Sequence, residues 1–213
     1  MSESALTGEL RAFAETRVAG EYEVDPWGFD RDVYNLAARV ARWRWHVDVI
    51  GATNLSVDGP ALLVVNRRFG MSEPAVIAMG VYEATGRRVR PVGVPDFAVI
   101  GSLLRRVGGV LDAPAEIRGL LRAGEVVVAP CTRQLFGGDQ PGVLRSAALG
   151  AALAVGAPVL PVAVSGSELG RSWRVRIGET VAVRPRRGVH LDQLAVELAD
   201  AARDALAALL SEE

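Results

Sequence analysis

Three short runs, 61–65, 125–129 and 159–164, are apolar at nearly every position and show no polar face. Strands covered on both sides by helices read this way. Between them the apolar period changes to three and four. Val33, Leu36, Ala37 and Val40 fall on one face of a helix over 31–45, with Asp30 as its N-cap. Similar patterns predict helices over 9–18, 74–85, 99–107, 115–123, 142–155 and 191–210, and further strands over 47–50 and 88–94. Residues 175–184 alternate apolar and charged side chains, as an edge strand or hairpin would. Helices alternating with apolar strands predict an α/β fold with a mixed, mostly parallel central sheet flanked by helices. No repeat or linker divides the chain, so one compact unit over 46–213 is expected, preceded by a helical segment over 1–45.

Composition narrows the function classes. With 213 residues, half of them hydrophobic, the chain can bury a sizeable core, which excludes intrinsic disorder. The formal net charge is -1, so no global field draws it to nucleic acid and any anion site is local. All 24 basic residues are arginine, which reads as a codon bias rather than a device. The single cysteine, Cys131, excludes an internal disulfide and a Cys-rich zinc site. With two histidines, His46 and His190, neither a metal nor another cofactor is expected. The first seventeen residues mix charges and lack an apolar core, so a cytoplasmic protein is expected. Residues 146–167 carry no charge, but Gly150, Gly156, Pro158 and Pro161 interrupt them, predicting a buried helix and strand rather than a membrane span.

Several blocks occur in a telling order: Gly59 to Asn66, Phe97 with Gly101 to Val110, Leu121 to Val127, Thr132-Arg133, Gly142, and Ala157 to Val164. In this order they resemble the glycerolipid and lysophospholipid acyltransferase superfamily, from about Trp43 to Val164. The resemblance implies an acyl-thioester donor, a lysolipid or glycerol-phosphate acceptor, and work at the cytoplasmic membrane face. It also implies a histidine after Asn66 and an aspartate five residues beyond it. The histidine would take the acceptor hydroxyl's proton, and the carboxylate would orient the imidazole.

Here that motif is altered. Aligning on Asn66 places Arg67 and Ser72 at the two positions, and aligning on Glu73-Pro74 places Arg68 and Glu73 there. Arginine stays protonated and cannot serve as the base. The family's second block, Phe-Pro-Glu-Gly-Thr-Arg, corresponds to Val128-Ala129-Pro130-Cys131-Thr132-Arg133, which keeps only Thr132 and Arg133 of its polar positions. The third block keeps Gly109 and Asp112 but has Ala113 where a basic residue is usual. The apolar frame is intact while the polar positions have changed.

No residue is therefore expected to be catalytic, and Arg67, Arg68, Thr132 and Arg133 are the expected substrate-binding residues, the arginines converging on an anion. An internally neutralised site, with Glu73 and Asp112 taking those guanidinium groups, is the alternative. Arg39, Arg42 and Arg44 interleave with Trp43 and Trp45, and Phe97 to Leu104 precede Arg105-Arg106, two amphipathic stretches suited to peripheral membrane contact. Two functions stay open: an inactive acyltransferase-like protein of phospholipid metabolism that binds a lipid, an acyl-CoA-like ligand or a protein partner, and an active acyltransferase with a non-standard site.

Overall fold

The computed structural model describes residues 8, 11, 14–20, 22–67, 72–132, 141–184, 186 and 188–212. Arg68 and Arg133, two of the expected anion-binding residues, lie outside the described residues.

Helix α1 (Arg31–Arg44) starts where the sequence puts its cap: the Asp30 carboxylate accepts from the backbone N–H groups of Asp32 and Val33, both at 3.1 Å. After it come β1 (His46–Ile50), β2 (Ala61–Val65), α2 (Glu73–Thr85) and β3 (Val89–Pro91). Helices α3 (Ala98–Arg106) and α4 (Pro114–Arg122) lead to β4 (Val126–Pro130). The chain closes with α5 (Ser146–Val155), β5 (Val159–Gly166), β6 (Ser172–Ile177) and α6 (Leu191–Ser211). The uncharged run 146–167 is thus a helix and a strand, and no described helix is long and apolar enough to cross a membrane.

The six strands form one sheet in the order β1-β6-β5-β2-β4-β3, parallel except for the β5 and β6 pair. Leu63, Val65, Val127 and Val162 are all fully buried, as strands without a polar face require. Helices α4, α5 and α6 cover one face of the sheet, and α2 covers the other with Val76, Ile77 and Val81.

Three boundaries differ from the sequence reading. The alternating stretch expected over 175–184 as an edge element is strand β6, at residues 172–177, and it lies inside the sheet between β1 and β5. Its alternation arises because Trp173, Val175 and Ile177 enter the core while Arg174 stays exposed; which neighbours flank a strand leaves no mark on such a pattern. Helix α5 begins at Ser146 rather than 142, because Thr132 pairs with Val143 and holds that segment extended. Strand β3 is shorter than 88–94: Val92 still donates to Val128 O at 2.8 Å, but the N–H groups of Gly93 and Val94 turn to Val110 O, where the segment lines a cavity.

Residues 25–30 are tied to the sheet. Arg90 on β3 donates to Asp25 at 2.7 Å, and Arg17 pairs with the buried Asp30, whose backbone N–H donates to Arg106 O at 3.0 Å.

Candidate functional site

The carboxyl ends of β2, β3 and β4 open into a cavity of about 370 Å³, roofed by α1, α2 and α3. Open α/β sheets bind their ligands at this end. The space exists because α1 turns small residues toward it, Ala37, Ala38 and Ala41, beside Tyr34. Ile77 and Ala78 of α2, Leu104 of α3, and Val92 to Pro95 complete mostly apolar walls over a floor of Val65, Val128 and Pro130. The wall also needs Gly109: a Cβ there would stand 2.3 Å from Val94 Cγ2. The volume falls in the range of small-molecule sites, roughly 300–1,000 Å³.

Polar groups gather where β2 ends. Asn66, Arg67 and Glu73 line the cavity; Asn66 and Glu73 are buried and Arg67 is exposed. Asn66 serves the frame: its amide donates to Val164 O at 3.0 Å and accepts from Val164 N at 2.7 Å, locking β2 to β5 one residue beyond their ladder. Its part here was not readable from the sequence, because Val164 lies 98 residues away.

The position expected to carry an aspartate holds Ser72, whose N–H and hydroxyl both donate to Glu168, at 3.1 and 2.6 Å. Glu168 follows β5, and Arg44 from the end of α1 fixes that turn by donating to Glu168 O and Gly170 O at 2.9 and 2.7 Å. Arg44 is therefore turned into the fold instead of lying with Trp43, which is exposed. Glu168 and Arg44 were both missed in the sequence, since nothing local links residues 44, 72 and 168.

Neither histidine lines the cavity. His46 opens β1, three strands away in the sheet, which is about 14 Å at ordinary strand spacing. His190 precedes α6 and is exposed. Cys131 is buried, and burial pushes its thiol up to about 12, so at neutral pH it is not a thiolate nucleophile.

Thr132 sits at the end of β4 and is exposed. Its N–H donates to Val143 O at 2.8 Å, and its hydroxyl accepts from Val143 N at 3.0 Å. Gly142 permits this crossing, since a Cβ there would stand 1.9 Å from Thr132 O. Asp112 pairs with Arg145. Of the expected binding residues, Arg67 is thus at the cavity and Thr132 at the neighbouring strand end. Among the described residues no acidic, histidine and cysteine cluster suited to a metal is present.

No family model matches the chain. It is 28% identical over 189 residues to uncharacterized proteins of Mycobacterium bovis and Mycobacterium tuberculosis, a match covering 76% of this chain and 51% of each relative. The chain spans about half the length of these relatives. Among solved structures it resembles the 1-acyl-sn-glycerophosphate (LPA) acyltransferase PlsC of Thermotoga maritima, with a TM-score of 0.57, 18% identity, and 85% of this chain and 78% of that one covered. The sheet and its helices therefore have the fold of that acyltransferase.

Proposed function

We propose that this chain is an acyltransferase-like lipid-binding protein without acyl-transfer activity, which takes an acyl chain into the apolar cavity and holds the ligand's polar end at Arg67. The observation that supports it most is Arg67 itself. A permanently protonated group stands beside the cavity, at the end of β2 where the reaction would require a base. A guanidinium there holds an anion well and takes a proton from nothing. Arg68, Thr132 and Arg133 are proposed to share that anion. Val40, Trp43, Phe97, Ile100 and Leu103 are exposed on or beside α1 and α3, two of the three roof helices. They support peripheral contact with the cytoplasmic face of a membrane, from which a lipid could enter.

A second reading keeps catalysis. Glu73 is the carboxylate among the cavity's described lining residues, and a buried carboxylate can act as a base. The two readings separate in one assay, with purified protein, an acyl-CoA donor and lysophosphatidate. The inactive protein binds the acyl-thioester saturably and transfers nothing above background, because losing a general base removes a factor of about 10² to 10⁴. Turnover that disappears in Glu73→Gln or in His46→Ala overturns the inactive reading.

A further inference from the structure

A second cavity of about 200 Å³ lies at the opposite end of the sheet, where β3 and β4 begin. Its walls are Arg87, Arg88, Arg90, Phe29, Glu125 and the glycines at 86 and 124. Three arginines around so small a space repel one another unless an anion compensates them. Their partners show how far the protein itself does so.

Arg87 is held by carbonyls, donating to Ser56 O at 2.9 Å, Gly124 O at 3.0 Å and also to Gly59 O, and Asp58 and Glu125 offset part of its charge. Arg90 is 2% exposed; its Nη1 donates to Asp25 at 2.7 Å and its Cζ lies 5.1 Å from the centre of the Phe29 ring. The other edge of that guanidinium, Nε and Nη2, has no hydrogen-bond partner among the described residues. Those two N–H groups form the side-on fork that grips two oxygens of a carboxylate or phosphate. Arg88 has no carboxylate partner among the described residues; its guanidinium lies within 5.9 Å of the Phe29, Tyr34 and Tyr82 ring centres, and its Nε is unpartnered too. Buried donors are ordinarily satisfied, so two guanidinium groups with idle N–H edges beside one polar cavity call for an acceptor.

We infer that this cavity is a second ligand site, separate from the apolar one, which binds a dianionic phosphate group. The idle edges belong to different side chains, and a tetrahedral anion offers oxygens in more than one plane where a carboxylate offers two in one. Arg90 Nε and Nη2 are closed to solvent, so the anion meets the Arg88 head first and reaches the Arg90 edge by a shift of side chains. Arg90 immediately precedes Pro91, which lines the apolar cavity, so the two sites share strand β3.

The test is calorimetric titration of the whole chain with inorganic phosphate at constant ionic strength, with acetate and chloride as controls. Expected is saturable binding of phosphate, weaker binding of acetate, at least a tenfold loss in Arg88→Gln and in Arg90→Lys, and no change in Arg174→Gln, an exposed arginine that lines neither cavity. Arg90→Lys retains the charge beside Asp25 but removes the fork, so its loss reads geometry rather than folding, and circular dichroism confirms that each variant is folded. Displacement by glycerol 3-phosphate marks a soluble phosphorylated ligand; displacement only by vesicles containing phosphatidate marks a lipid headgroup. No saturable binding above chloride, or equal affinity in wild type and Arg88→Gln, overturns the site.

Discussion

Ser72 gives both its backbone N–H and its hydroxyl to the carboxylate of Glu168, across 96 residues of chain. A hydroxyl can donate here; a carboxylate cannot. Ser72→Asp, the change that would install the expected acid, therefore places two carboxylates against each other instead of making a relay. Each raises the other's pKa in the folded protein above the ordinary carboxylate value. A raised acid pKa means that the folded state binds more protons, so the variant's stability falls as pH rises through the unfolded value near 4. Urea unfolding is expected to show a loss of about 1–3 kcal/mol at pH 7 that is largely relieved at pH 4. A loss equal at both pH values would refute the contact.

Asn66 makes a related prediction, because its amide both gives to and takes from the Val164 backbone. Asn66→Ala leaves a buried N–H and a buried carbonyl without partners, at a cost of about 1–3 kcal/mol for each. Asn66→Asp keeps the acceptor but turns the donor into a second acceptor facing Val164 O. Chemical denaturation is expected to rank wild type above both variants at pH 7, with Asn66→Asp regaining stability on acidification as its carboxyl becomes a donor.

The cysteine supplies a chemical check. Burial pushes the Cys131 thiol up to about 12 from an ordinary 9.0. Native protein at pH 8 is therefore expected to resist Ellman's reagent, with the thiol reacting only after urea unfolds the chain. Rapid stoichiometric labelling of the native chain would place Cys131 at the surface and reopen a nucleophilic role.

What was legible in the sequence is what local pattern encodes. The runs containing Leu63, Val127 and Val162 could be assigned to the sheet because burial on both faces removes every polar residue from such a strand. Asp30 could be assigned as a cap because the carboxylate and the N–H groups it accepts lie within three residues. The position of β6 inside the sheet was not legible, since pairing partners are set by tertiary contacts. Arg67, which lines the cavity, was singled out through the resemblance, which aligns it directly after Asn66. Glu168 and Arg44 could not be singled out, because their link to Ser72 is made only when the β5 and β6 hairpin folds back on α1.

Acid stability rests on Asp30. Burial by itself raises the pKa of this carboxyl, but hydrogen bonds from Arg17 and from the Val33 and Asp32 backbone, with the Arg17 charge, outweigh it and hold the group below its ordinary 3.8. An acid with a depressed folded pKa contributes stability that is fully present above the unfolded value and is lost as pH falls through the folded one. The loss therefore falls below about pH 4. Asp30→Asn retains a capping oxygen but loses the ion pair, and Asp30→Ala loses both. Thermal unfolding at pH 7 is expected to show the alanine variant less stable by about 2–4 kcal/mol and the asparagine variant by less. The gap between wild type and Asp30→Asn should shrink as pH falls below 4, because wild type then loses the charge that asparagine never had. A gap that stays constant down to pH 2 would show that Asp30 acts through its cap alone, with Arg17 contributing nothing to the fold.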